Sequence, residues 1–173
     1  MPRVTVTRTY LRLKKHLALH RAPLPPGVVV RSVMPCLVPM SRAMYRDVGG
    51  PWHWVDRLAW SDDQLAAHLN RPTVRVLRLE QGDAFLGFAE LERHDDGAVE
   101  IVYFGLVPDA IGVGLGKGFL TAVVDEAFAM YATHVWLHTC TLDHPHALRS
   151  YEMRGFERFR QEQYETDLPE EPQ

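Results

Sequence analysis

Three glycines in five residues, Gly112, Gly114 and Gly116, stand between an apolar run ending near Val107 and a stretch whose apolar residues repeat with helical spacing. Leu115, Phe119, Leu120, Val123, Val124, Ala127 and Phe128 fall on one helical face. Without Cβ atoms the backbone can turn sharply there and let a ligand reach its N–H groups. The first helical turn has unpaired donors and the positive end of the helix dipole. Together these features make a place for a phosphate or pyrophosphate, with Lys117 beside it. Two familiar phosphate motifs do not fit. The spacing from Gly112 to Lys117 is not that of a P-loop, and Gly118 stands where the hydroxyl residue belongs. A dinucleotide fingerprint would put glycine at Lys117 and would lie in a first βαβ unit. The structural alternative is a plain strand–helix connection with glycines for close packing.

The rest of the chain is compatible with one folded domain. Its 173 residues approach the length of about 150 per domain. Its content of 46% hydrophobic and 24% charged residues excludes disorder and fibrous repeats. No apolar run nears the ~18 residues of a membrane span. Arg3, Arg8, Arg12, Lys14 and Lys15 interrupt any signal-peptide core. The two cysteines, Cys36 and Cys140, are no disulfide framework, and a cytoplasmic location is the expectation. Residues 1–46 hold nine Lys/Arg and no Asp/Glu, whereas the remainder holds 10 against 22. Such an arm can bind nucleic acid or a membrane. The favoured reading is an arm that folds onto its own acidic body, with neither partner.

Coarse patterning gives a mixed α/β order. A strand is expected over residues 4–13, then a Pro-rich connector to Gly27 and a strand over 28–33. A short helix over 41–48 stops at Gly49-Gly50-Pro51. Ser61-Asp62-Asp63-Gln64 is a capping box that opens a helix to about Leu69. Strands over 73–80, 84–93 and 98–107 form an antiparallel meander, with turns at Gln81-Gly82-Asp83 and Asp95-Asp96-Gly97. After the glycine-rich helix come a strand over 134–139, a helix from Pro145 that Gly155 ends, and a strand over 156–164. The units are thus an N-terminal strand and connector (1–27), a main domain (28–165) and a polar tail (166–173).

Two motifs carry a resemblance. Ile111-Gly112-Val113-Gly114-Leu115-Gly116 matches Q/R-x-x-G-x-G/A at the start of the central helix, and Tyr151-Glu152-Met153-Arg154-Gly155-Phe156 matches Tyr-x-x-x-Gly-Phe near the C-terminus. With one helix and one strand between them, the chain resembles the GNAT superfamily of acetyl-CoA-dependent N-acetyltransferases over about residues 28–165. The resemblance implies a central mixed sheet, a meander followed by β-α-β-α-β, here with an extra N-terminal strand. It departs at Ile111, where the family has Gln or Arg, and at His144, where asparagine is frequent.

The resemblance implies direct transfer, in which a neutral amine attacks the acetyl thioester in a gap between two splayed strands. Leu106, Val107, Ile111, Gly112, Val113, Gly114, Leu115, Gly116, Lys117 and His144 would bind acetyl-CoA, with main-chain groups of Phe104, Leu106 and Val107 along the pantetheine. An alkyl ammonium, pKa about 10.4, must lose a proton before attack. Glu100 matches a position where many members place the base, and Tyr151 the residue that serves the departing thiolate. Gly105 is the expected bulge that opens the gap. The bland readings are a solvated glutamate and a half-buried tyrosine packed under Phe156.

The resemblance implies that the segment holding Tyr45 to Trp54 covers the acceptor, with Tyr45, Trp52 and Trp54 at the pocket, the two tryptophans as an aromatic wall, and Arg57 or Asp56 selecting charge. The alternative is that these tryptophans fill a satellite core. His134, His138, Cys140, His144 and His146 fall close together, but their spacing is not that of a zinc site, so no metal is expected. A Cys140 nucleophile lacks an oxyanion hole. The resulting expectation is an enzyme acetylating a primary amine of a small molecule, a possible homodimer. The alternative is a non-catalytic acyl-CoA-binding module, suggested by Ile111.

Overall fold

Alternation of side chains builds the sheet, and it does so with two different buried faces. In the computed structural model, which describes residues 2–168, β1 (Arg3–Leu13), β2 (Val28–Ser32), β3 (Val74–Gln81), β4 (Ala84–Arg93), β5 (Val99–Leu106), β6 (Val135–Cys140) and β7 (Glu157–Asp167) form one sheet. Its order is β2-β3-β4-β5-β6-β1-β7. Only β5 and β6 run parallel; the other neighbours are antiparallel.

Leu77, Leu79, Ala89, Leu91, Val99, Ile101, Val135, Leu137, Leu11 and Leu13 share one buried cluster with the apolar stripe of α3 (Leu115–Ala129). Their neighbours in sequence, Val76 and Phe88, point the other way, as period two requires. They meet Met44, Tyr45 and Val48 of α1 (Val38–Gly49) and Leu65 and Leu69 of α2 (Asp62–Leu69). This second cluster takes no residue from β6, β1 or β7. On that side of the outer strands, Tyr10 meets Trp136 and Phe159 at ring centroids of 6.3 and 6.1 Å.

Local signals set the helix ends. Ser61 accepts a hydrogen bond from the Gln64 amide while the Gln64 side chain accepts one from the Ser61 amide, so the predicted capping box forms. α4 (Ala147–Met153) ends as expected at Gly155, φ +105°, with the Phe156 amide donating to the Tyr151 carbonyl. It begins at Ala147, two residues after Pro145. α1 starts at Val38, three residues before the predicted Ser41, because Pro39 fits a first turn where no N–H is needed.

The expected extra N-terminal strand is part of the sheet: β1 lies between β6 and β7, and among the described residues β7 pairs only with β1. Two expectations are corrected. The expected tail is part of a strand, since Thr166 and Asp167 pair with Val4 and Arg3; residues 169–173 lie outside the described residues. The β4–β5 irregularity falls at Val102, which the register skips between Ile101 and Tyr103, and not at Gly105. Gly105 is small for another reason. A Cβ there would stand 2.5 Å from Cγ1 of Val48.

The basic arm meets the acidic body. Arg3, Arg8, Lys14, Arg21, Arg31 and Arg42 pair with Asp167, Glu162, Glu157, Asp125, Glu80 and Asp62. The connector between β1 and β2 also lies against α3, where the Ala22 amide donates to the Thr121 hydroxyl. No helix among the described residues is long and apolar enough to cross a membrane.

Candidate active site

Gly114 is the N-cap of α3 and has φ +84°; Gly112 has φ +81°. Both are backbone conformations that glycine adopts without strain. A Cβ at either position would meet nothing within 4 Å, so the space in front of the helix tip is open. Ile111, Gly112, Gly114, Leu115, Gly116 and Lys117 line one end of a cavity of about 710 Å³.

The middle of the cavity is a gap in the sheet. β5 and β6 pair at Val99 with Val135 and at Glu100 with Trp136, and no further. Beyond that last rung, Tyr103, Phe104, Gly105 and Leu106 form one wall and Leu137, His138 and Cys140 the other. Tyr151, from α4, also lines the cavity, against Phe104 and Phe156 at centroids of 6.2 and 6.1 Å. Burial, reinforced by the negative charge of Asp143, pushes the Tyr151 phenol well above its ordinary range, so it stays protonated at neutral pH. Trp52, Trp54 and Asp56 line the cavity from the segment between α1 and α2, and Arg8 and Tyr164 from β1 and β7.

Of the residues predicted to bind acetyl-CoA, Leu106, Ile111, Gly112, Gly114, Leu115, Gly116, Lys117 and His144 reach the cavity. His144 stacks edge-on against Trp52 at 5.3 Å, joining the glycine end to the aromatic wall. Val107 and Val113 are not on the wall. The Val107 amide is spent on the Leu86 carbonyl at 2.9 Å, and Val113 is 65% exposed.

The acceptor residues divide. Trp52 and Trp54 face the cavity, whereas Tyr45 and Arg57 line a separate, smaller one of about 190 Å³ behind it. Arg57 is there because it has a buried partner: its guanidinium donates to both oxygens of Glu90, and His68 bonds the same carboxylate at 3.0 Å. Tyr45 stacks edge-on against Tyr103 at 5.3 Å and also touches Trp54. These residues therefore support the wall from behind. Glu100 likewise lies outside the cavity, on the closed rung with Trp136, where His94 Nε2 stands 3.4 Å from its carboxylate. Burial raises its pKa, while His94 opposes the rise.

His138, Asp56, Arg8 and Tyr164 line the cavity without having been predicted for it, apart from Asp56 as a charge selector. For His138 the signal was present, because it alternates with the core residue Leu137. For Arg8 and Tyr164 none was available, since only strand pairing across more than 150 residues brings them to the site. Among the described residues, no group of three or more His, Cys, Asp or Glu side chains could hold a metal ion.

An open, glycine-lined helix tip and a parted pair of parallel strands share this cavity. The model of the acetyltransferase (GNAT) family matches residues 41–156. The chain belongs to the GNAT family of acetyltransferases. This GNAT protein is 27% identical over 150 residues to a mycothiol acetyltransferase of Saccharopolyspora erythraea, covering 82% of this chain and 47% of the relative. It is 29% identical over 143 residues to a mycothiol acetyltransferase of Actinosynnema mirum, covering 80% and 47%. The chain thus spans about half the length of the curated relatives it matches. A solved GCN5-related N-acetyltransferase from Kribbella flavida shares the fold, with TM-score 0.64 at 20% identity, over 94% of this chain and 58% of that one. The family match stops short of β1 and β7, the strands that bring Arg8 and Tyr164 to the far end of the cavity.

Proposed function

We propose that this GNAT protein transfers the acetyl group of acetyl-CoA to a primary amine of a small molecule by direct attack. One observation carries the reading: the glycine tip of α3, the gap past the Glu100–Trp136 rung and Tyr151 all open into a single cavity. The residues fit the co-substrate. The main-chain donors of residues 112–116 would hold the diphosphate, with Lys117 adding charge and the open space at Gly112 and Gly114 admitting it. The parted edge of β5 would take the pantetheine much as a sheet edge takes a strand. The thioester supplies an activated acetyl group, and the protonated Tyr151 hydroxyl is the proton donor for the departing sulfur. Trp52, Trp54 and Asp56 offer an aromatic and anionic lining suited to a cationic acceptor.

Calorimetry with coenzyme A, followed by thiol release from acetyl-CoA with a panel of primary amines, tests the reading. The panel begins with the acceptors of mycothiol acetyltransferases. Amine-dependent thiol release is expected. Coenzyme A binding without release for any amine supports instead the non-catalytic acyl-CoA-binding module, for which the apolar Ile111 on the cavity wall speaks. No binding overturns both.

A further inference from the structure

The proposed transfer needs a group that removes a proton from the acceptor, and Glu100, on the last closed β5–β6 rung, does not line the cavity. Strand geometry names another residue. On β6, Trp136 occupies that rung, and Leu137 turns into the α3-side core. His138 therefore projects on the same face as Trp136, one side-chain step beyond the point where the strands part. The geometry points to His138 as the residue that accepts the proton of the acceptor amine, an inference that rests on the acetyl-transfer reading.

Four observations support it. The His138 ring lines the cavity, and among the described residues neither of its nitrogens bonds a protein group. Tyr10 packs on it at 5.5 Å between centroids and limits its rotation. The face it projects from is opposite the α3 core that holds Tyr151, so proton removal and thiolate protonation take place on opposite sides of the gap. Finally, although His138 is solvent-exposed at the cavity wall, partial desolvation and then the charge of Arg8 lower the imidazole pKa from its ordinary value, outweighing Asp143, Asp56 and Glu162, which favours the neutral, proton-accepting form at pH 7. The groups facing it are Arg8 and Tyr10 from β1, Asp56 from the segment after α1, Asp143 from the loop after β6, and Glu162 from β7.

The proton inventory closes. The bound ammonium gives one proton to the His138 imidazole, and its freed lone pair forms the N–C bond to the acetyl carbon. The C–S bond breaks, the sulfur takes the Tyr151 hydroxyl proton, and the second amine proton returns through water to the phenolate. His138 then releases its proton to solvent, leaving amide, thiol and one proton.

The test compares wild type with His138→Asn and His138→Gln in kcat, KM, the pH profile of kcat/KM and coenzyme A affinity. Both variants are expected to lose about 10²-fold or more in kcat at neutral pH. They should also lose the acid limb of the profile and keep coenzyme A affinity. A ring titration by NMR in wild type should place the missing His138 resonance below the ordinary imidazole range of about 6.5. Retention of the acid limb in an active variant overturns the assignment while leaving acetyl transfer standing. A wild type that binds coenzyme A but releases no thiol with any amine overturns both. A variant that loses coenzyme A affinity along with kcat marks His138 as structural and overturns the assignment.

Discussion

The Arg57 guanidinium forks onto the Glu90 carboxylate, with N–O distances of 3.1 and 2.6 Å, in a layer that lies directly behind the aromatic wall of the cavity. Glu90 is 2% exposed and Arg57 7%. The faces of Trp60 and Tyr103 cover the guanidinium at 4.3 and 5.0 Å. Removing one partner leaves the other charged and buried, so Glu90→Gln is expected to lower unfolding free energy by about 3–5 kcal/mol. Urea unfolding measures this. The double variant Arg57→Met with Glu90→Met should recover most of the loss, since apolar side chains of similar volume leave no charge unpaired. Equal loss in the double variant would show that packing, and not the unpaired charge, dominates.

The same pair gives the fold an acid limb. Burial opposes ionisation of Glu90, but hydrogen bonds from His68 and Arg57 outweigh it and hold the carboxyl below the usual range. A depressed folded pKa lends stability that is complete above the unfolded value, near 4.3 for glutamate, and is lost as pH falls through the folded value. Urea midpoints from pH 7 to pH 3 should therefore show the gap between wild type and Glu90→Gln narrowing towards the acid end. A gap independent of pH would remove Glu90 ionisation from the account.

At the other end of the cavity, Gly114→Ala tests the helix tip without a steric clash. A Cβ there meets nothing within 4 Å, so the strain comes from φ +84° alone, about 1–3 kcal/mol. The expected outcome is a modest fall in thermal midpoint and a clear fall in coenzyme A affinity by calorimetry, as the amides turn away from the diphosphate. Unchanged affinity would show that the N-cap conformation does not position the donors.

Tyr151→Phe separates binding from chemistry. The ring packs between Phe104 and Phe156, and phenylalanine preserves those contacts. Turnover should fall about 10²-fold with coenzyme A affinity unchanged. Unchanged turnover would take the hydroxyl out of the reaction.

Much of this architecture is legible in the sequence where the deciding interactions are local. The Ser61–Gln64 capping box, the Gly155 helix stop and the glycines before α3 each act within a few residues, and each is found where it was expected. What stayed hidden depends on contacts between distant segments. Nothing around Arg57 announces that Glu90, on a strand beyond the next helix, will draw it behind the wall. Glu100 and His138 can be told apart only by knowing which rung is the last one between β5 and β6. The place of β1 in the sheet depends on β6 and β7, which lie far along the chain.

That placement bears on how the molecule is made. Of the seven strands, Arg3–Leu13 is synthesised first, yet its partners Val135–Cys140 and Glu157–Asp167 are the last two of the seven. Until then it has no neighbour to bond, and closing so long a chain segment is slow compared with forming the central meander. The part of the cavity wall that Arg8 and Tyr164 supply thus waits for the pairing of β1 with β6 and β7, whereas the glycine tip of α3 is set by contacts within a few residues.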